Sequence, residues 1–229
     1  MTDSYTDGKH TRRGFLRTAA SGALFAGFGA FIQSCEEKGL QPSADLVKAY
    51  IDGVLDIIAK IRERESGAIR QAAAIAVQSK LHGHDLYSHI TGAMFPAEKA
   101  DSRPGSPHIF LTENIQRARR SDVIVSNDPE SVRGLSEQYV KVIGITTPTV
   151  PSLHTPPGAL NNMGVLTIED VSNVTIYCHI PYTDGILDVE GIEIPICPVS
   201  GIIHSLIYYS LVAEIVEGFT KSGIYPQIG

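Results

Sequence analysis

The spacing of hydrophobic residues changes period along the chain. Between residue 44 and about residue 80 they recur every three or four positions. Val47, Ile51, Val54, Leu55 and Ile58 fall on one helical face, and Ile69, Ala72, Ala73 and Ala76 form a second stretch. The charged run RERES between them reads as a solvated turn or helix face. Further on the period shortens. HDLYSHI (84–90), HIFL (108–111), DVIVS (122–126), VKVIGIT (140–146), NVTIYC (173–178) and IEIPI (192–196) read as strands, VKVIGIT most clearly. A short amphipathic segment over 129–139 fits a crossover helix. A last helix runs from about Val199 to Lys221, closed by Gly223 and Pro226. Strands alternating with helices predict an α/β domain with an open, mostly parallel sheet. Ligands of such sheets bind at the carboxyl ends of the strands.

The first residues follow a different logic. Arg12 and Arg13 are adjacent, Phe15, Leu16 and Arg17 follow, and a weakly apolar run extends from Thr18 to Ile32 before Gln33, Ser34 and Cys35. This resembles a twin-arginine export signal ending in a lipoprotein box. The resemblance implies export of a folded protein to the periplasm or cell surface, with Cys35 lipidated and the membrane reached through that lipid. A membrane-spanning anchor is the alternative, but a span needs about 20 mostly apolar residues. This run is shorter and holds Gly22, Gly27 and Gly29. Cleavage without lipid is the alternative at Cys35. The expected organisation is a signal over 1–34, a tether over 35–43 and one domain over 44–229, long enough for a sizeable core.

Composition narrows the function. The net charge is −6 and tryptophan is absent, which argues against a nucleic-acid partner, since that needs a basic face. Cys178 and Cys197 lie in apolar runs. They read as two buried thiols, with a disulfide allowed in an oxidising compartment. His82, His84 and His89 cluster, and the first two would share a strand face. No Cys and no His-Glu-x-x-His pattern accompanies them, so neither metal nor cofactor is expected.

The second half resembles the sugar isomerase (SIS) domain family, closest to its uncharacterised phosphosugar-binding branch. The residues that carry the resemblance come in order. They are Val150, Pro151, Ser152, Leu153 and His154 after the clearest strand, Cys178 ending the next, and Asp188, Glu190 and Gly191 in an acidic segment. Cys197, Pro198, Val199, Ser200 and Gly201 then precede a long helix with Glu214. The match covers about 120–226 well and 44–119 poorly. It implies a flavodoxin-like, three-layer α-β-α sandwich with a mostly parallel five-stranded sheet. It also implies dimers or tetramers, and phosphosugar binding through Ser/Thr loops at helix N-termini. The apolar breadth of the last helix (Ile202, Ile203, Leu206, Ile207, Leu211, Ile215 and Phe219, with Tyr208 and Tyr209) points to a dimer contact there.

The expected ligand-binding residues are Thr91, Gly92, Ser126, Asn127, Ser131, Ser152 and Ser200. Glu214, His204 and His154 are the candidate acid–base residues of an aldose–ketose isomerase. The chain departs from the family in its phosphate loops. Where relatives have Ser-Asn-Ser-Gly, it has Ser126, Asn127, Asp128, Pro129, Glu130 and Ser131. Asp128 and Pro129 make a good helix start and a poor phosphate cradle. The expected function is binding of a sugar, a sugar derivative or a phosphosugar. The alternatives are a non-catalytic scaffold or sensor, and a partner subunit of an exported complex.

Overall fold

The computed structural model describes residues 45–91, 105–111, 114–146 and 166–228. The expected export signal, Cys35, the tether, Gly92, Ser152 and His154 lie outside them. Apart from Asp45, every described residue belongs to one compact unit, Leu46–Gly229.

Two helices open this unit, α1 (Leu46–Arg64) and α2 (Ser66–Leu81). The buried stripe of α1 is Val54, Ile57 and Ile61. The expected face is corrected, because Val47, Ile51 and Leu55 are exposed. Apolar residues cover two flanks of this helix, so periodicity alone could not choose between them. Packing against the rest of the core chose the flank centred on Ile57.

Four strands form a parallel sheet in the order β1-β2-β3-β4: β1 (Leu86–His89), β2 (Val123–Ser126), β3 (Lys141–Ile145) and β4 (Val174–Ile176). The register sets Ser88 beside Val125, and Ser126 beside Gly144. HIFL contributes one parallel bridge, Leu111 to Tyr87, on the free side of β1. Leu111 N–H donates to Leu86 O at 2.8 Å and its carbonyl accepts from Ser88 N–H at 3.0 Å. Where a five-stranded sheet was expected, the parallel sheet has four strands and this bridge among the described residues.

The strand expected over 192–196 is also corrected. Pairing starts later, at β6 (Ile196–Pro198), which runs antiparallel to β5 (Gly185–Leu187) outside the main sheet. Pro195 and Pro198 lack the N–H that a central ladder needs, which keeps this segment out of the parallel sheet.

Both faces of the sheet are buried. Leu86, Val123, Val125, Ile143, Ile145 and Ile176 join the core built by α1, α2 and the final helix α4 (Ser200–Lys221). Tyr87, Ile124 and Val142 face the other way, against Val132 and Leu135 of α3 (Pro129–Glu137). Side chains alternate across a strand, so helices on both faces require apolar residues at consecutive positions. DVIVS and VKVIGIT have them. Each fully buried Ile or Leu contributes about 1.5–3 kcal/mol.

The breadth of apolar residues on α4 serves this core. Ile203, Ile207, Leu211 and Ile215 are fully buried, and Tyr208 and Phe219 nearly so. Only Ile202 is exposed, while Leu206 and Tyr209 are half-buried. The helix seats closely on α2, where a Cβ at Gly218 would come within 2.6 Å of Val77 Cγ2.

Candidate functional site at the carboxyl edge

The carboxyl ends of β1 and β2 bring together four residues singled out from the sequence. Asn127 and Thr91 hold each other through two bonds of 2.9 Å. Thr91 N–H donates to Asn127 Oδ1, and Asn127 Nδ2 donates to Thr91 O. Ser126 is fully buried and accepts the N–H of Asp128 at 3.0 Å. Asp128 caps α3, accepting from Ser131 N–H at 3.3 Å and from the Ser131 hydroxyl at 2.6 Å. Pro129 occupies the first helical turn, as expected. His89, the last residue of β1, points its Nε2 at Asp128 Oδ2 from 3.6 Å. That is too long for a hydrogen bond. This buried nitrogen has no partner within hydrogen-bond distance. Burial pushes the Asp128 carboxyl up, but the Ser131 bonds and the neighbouring His89 outweigh it, and the net shift is downward. Asp128 stays ionised.

The second half of the edge lies beyond β3 and β4. The Thr146 hydroxyl accepts from Cys178 N–H at 2.9 Å, and the Thr146 carbonyl accepts from His204 Nε2 at 3.2 Å. Asp184 sits at the start of α4. Its carboxylate accepts from Val199 N–H at 3.1 Å, Ser200 N–H at 2.8 Å and the Ser200 hydroxyl at 2.7 Å. Asp184 holds φ at 61°, in the left-handed region that Asp tolerates better than most residues. Burial lowers the His204 pKa, against the Thr146 bond and the Asp184 charge. Burial raises that of Cys178, which keeps the thiol protonated and a poor nucleophile.

Glu65 joins this region from the α1–α2 junction. Its Oε2 accepts Tyr177 N–H at 3.1 Å, and its Oε1 lies 2.7 Å from His179 Nε2. RERES is thus not wholly solvated, since Glu65 is buried.

Among the expected acid–base residues, His204 is buried in the second turn of α4. Glu214 is ten positions further, about 15 Å along the helix axis at 1.5 Å per residue. It lines a separate groove of about 320 Å³ with Ile58, Arg62, Arg70 and Leu206. The two do not share a site. The three clustered histidines also separate. His82 caps the end of α2 with Nδ1 2.7 Å from Gln78 O, His84 lies 3.8 Å from Asp122, and His89 faces Asp128. His82 and His84 share no strand face. Among the described residues no three His, Cys, Asp or Glu side chains group for a metal ion. Cys178 and Cys197 are both free thiols.

Sequence reasoning missed Glu65, Thr146, His179 and Asp184. Each acts through a partner distant in the chain, and Asp184 beside Gly185 reads locally as an ordinary turn.

The edge offers carboxylates, hydroxyls, an amide and a ring nitrogen, with both α3 and α4 capped internally. It can accept hydrogen bonds from a hydroxyl-rich ligand, and its own acids repel an anion. In comparison with known proteins, the chain matches no protein-family model and no curated protein.

Proposed function

We propose that the chain is an exported, lipid-anchored SIS-like domain that binds a sugar or sugar derivative without phosphate at this carboxyl edge. The observation that carries the reading is the placement of Asp128 and Asp184. Each carboxylate takes the N–H groups and the hydroxyl that a phosphate would use at a helix start. A second negative group there meets repulsion. A sugar hydroxyl fits instead, because it is neutral and can donate to a carboxylate oxygen.

The strand order supports a flavodoxin-like three-layer fold. With the Leu111 segment counted as the second strand, the order becomes 2-1-3-4-5. The switch point of that order lies between β1 and β2, where His89, Thr91 and Asn127 stand. The proposed homodimer uses apolar surface that the core leaves open, Ile202 on α4 with Ile51 and Leu55 on α1.

A non-catalytic sensor or scaffold is the second reading. It is favoured by the separation of His204 from Glu214, two of the three residues expected to carry the proton transfer of an isomerase. Calorimetry with hexoses, hexosamines and hexose 6-phosphates tests the proposal. Heat from the unphosphorylated sugars alone is the expected result. Tight binding of the phosphates overturns the reading, and no binding by any sugar favours the scaffold.

A further inference from the structure

The opposite edge of the sheet holds a cavity of about 490 Å³. Six residues define its chemistry: Arg120, Ser121, Tyr139, Lys141, Ser172 and Asn173. They lie just before β2, after α3, at the start of β3 and before β4, so the cavity opens at the amino ends of the strands.

Three observations mark it. The first is charge. The protein is acidic, with 25 Asp and Glu against 19 Lys and Arg, yet two cationic residues, Arg120 and Lys141, line this cavity. Asp122 is buried outside the lining, where its oxygens accept Asp85 N–H at 2.9 Å and Arg119 N–H at 2.7 Å. Asp170 is the one carboxylate among the lining residues, with its Oδ2 accepting the Thr167 N–H and hydroxyl, both at 2.8 Å.

The second is backbone strain. Ser121 and Tyr139 hold φ at 72° and 65°, and Ser121 N–H donates to Tyr139 O at 3.0 Å. Tyr139 follows the C-cap of α3, where glycine is the low-cost residue and a bulky side chain is an outlier. The third is what the strain presents. Tyr139 is 70% exposed, with the Arg120 guanidinium 4.8 Å from its ring centre. The α3 cap itself gains nothing from that ring.

Cations, an exposed aromatic face and several hydroxyls in one polar cavity match a carboxylated sugar. Arg120 would meet the carboxylate, while the Lys141 ammonium, which donates to Ser79 Oγ at 3.2 Å, adds positive charge nearby. The Ser172 hydroxyl donates to Ile168 O at 2.6 Å, leaving its lone pairs for ligand hydroxyls. Asn173 uses Oδ1 for Val142 N–H at 2.7 Å, leaving Nδ2 as a donor. We propose that this cavity is a second binding site, for a uronic acid or a similar sugar carboxylate. It is independent of the carboxyl-edge site.

Calorimetry of the full chain with D-glucuronate, glucose and acetate tests it. Glucuronate should bind, with glucose and acetate at least about tenfold weaker, as expected when a charge-assisted bond or the sugar contacts are lost. Arg120→Gln should weaken glucuronate about tenfold. Tyr139→Gly should raise the melting temperature by relieving the left-handed strain and still weaken binding. Glu217→Ala, on the exposed face of α4 and in neither site, should leave glucuronate affinity unchanged. No heat with glucuronate overturns the proposal. So does acetate binding as tightly as glucuronate, unchanged affinity in Tyr139→Gly, or loss of glucuronate binding in Glu217→Ala.

Discussion

Glu65 and His179 are 114 residues apart in sequence, and their side chains meet at 2.7 Å. Glu65 is buried at the α1–α2 junction, and His179 follows β4 with φ at 53°. The pair, with the Tyr177 N–H bond, ties the helical layer to the carboxyl end of the sheet.

Glu65→Ala should therefore destabilise the fold by about 3 kcal/mol, since it leaves His179 and the Tyr177 N–H without their acceptor. Glu65→Gln, which keeps an oxygen for one of them, should cost less. Equilibrium urea unfolding of the three proteins measures both. Equal stability of wild type and Glu65→Ala would show the pair to be incidental.

Acidification should weaken the fold through His204. Its pKa is below the ordinary value of 6.5 because of burial. Below pH 6.5 the unfolded chain then takes up a proton that the native His204 resists. Stability is fully present above pH 6.5 and declines as pH falls toward the lowered native pKa, by at most about 1.4 kcal/mol per pH unit for this one group. His204→Gln should flatten that part of the curve. An unchanged slope in the variant would assign the loss to other groups.

Phosphosugar binding should be recoverable by removing the internal caps. Asp128→Ser with Glu130→Ser removes two negative charges at α3, and Asp184→Ser frees the N–H groups of Val199 and Ser200 at α4. Affinity for hexose 6-phosphate should rise in either variant and most in the combined one, with Pro129 still lacking one donor. Losing a cap costs about 1 kcal/mol per helix, so the combined protein is compared below its own melting temperature. Calorimetry on all three decides it. A wild type that already binds the phosphate tightly contradicts the premise.

Export and anchoring are tested separately. Arg12→Lys with Arg13→Lys should leave the protein in the cytoplasm, and Cys35→Ala should move it from the membrane pellet to the soluble fraction. Cell fractionation reads both. Normal export of the double variant, or a wild type that is already soluble, removes the corresponding part of the proposal.

Local patterns determined much of this architecture. The apolar runs around Val123–Val125 and Val142–Ile145 mark strands buried on both faces, because consecutive apolar residues are what two covered faces require. Asp128 followed by Pro129 specifies the start of α3, since capping depends on neighbours within one turn. The convergence of Thr91, Ser126, Asn127 and Ser131 on one edge was legible, because a parallel sheet sends the carboxyl ends of its strands there.

Long-range pairing decided the rest, and periodicity carries no information about it. Whether α1 buries Ile57 or Ile51 depends on which flank the core covers. Whether α4 turns its apolar side outward depends on α2 and the sheet occupying that side first. The edge's electrostatics rest on partners across the fold: Asp184 closes the helix start that Ser200 seemed to leave open, and Glu65 reaches His179 through the core. A carboxylate's role is set by the donors within about 3 Å of it, and here those donors come from chain segments 15 to 114 residues away.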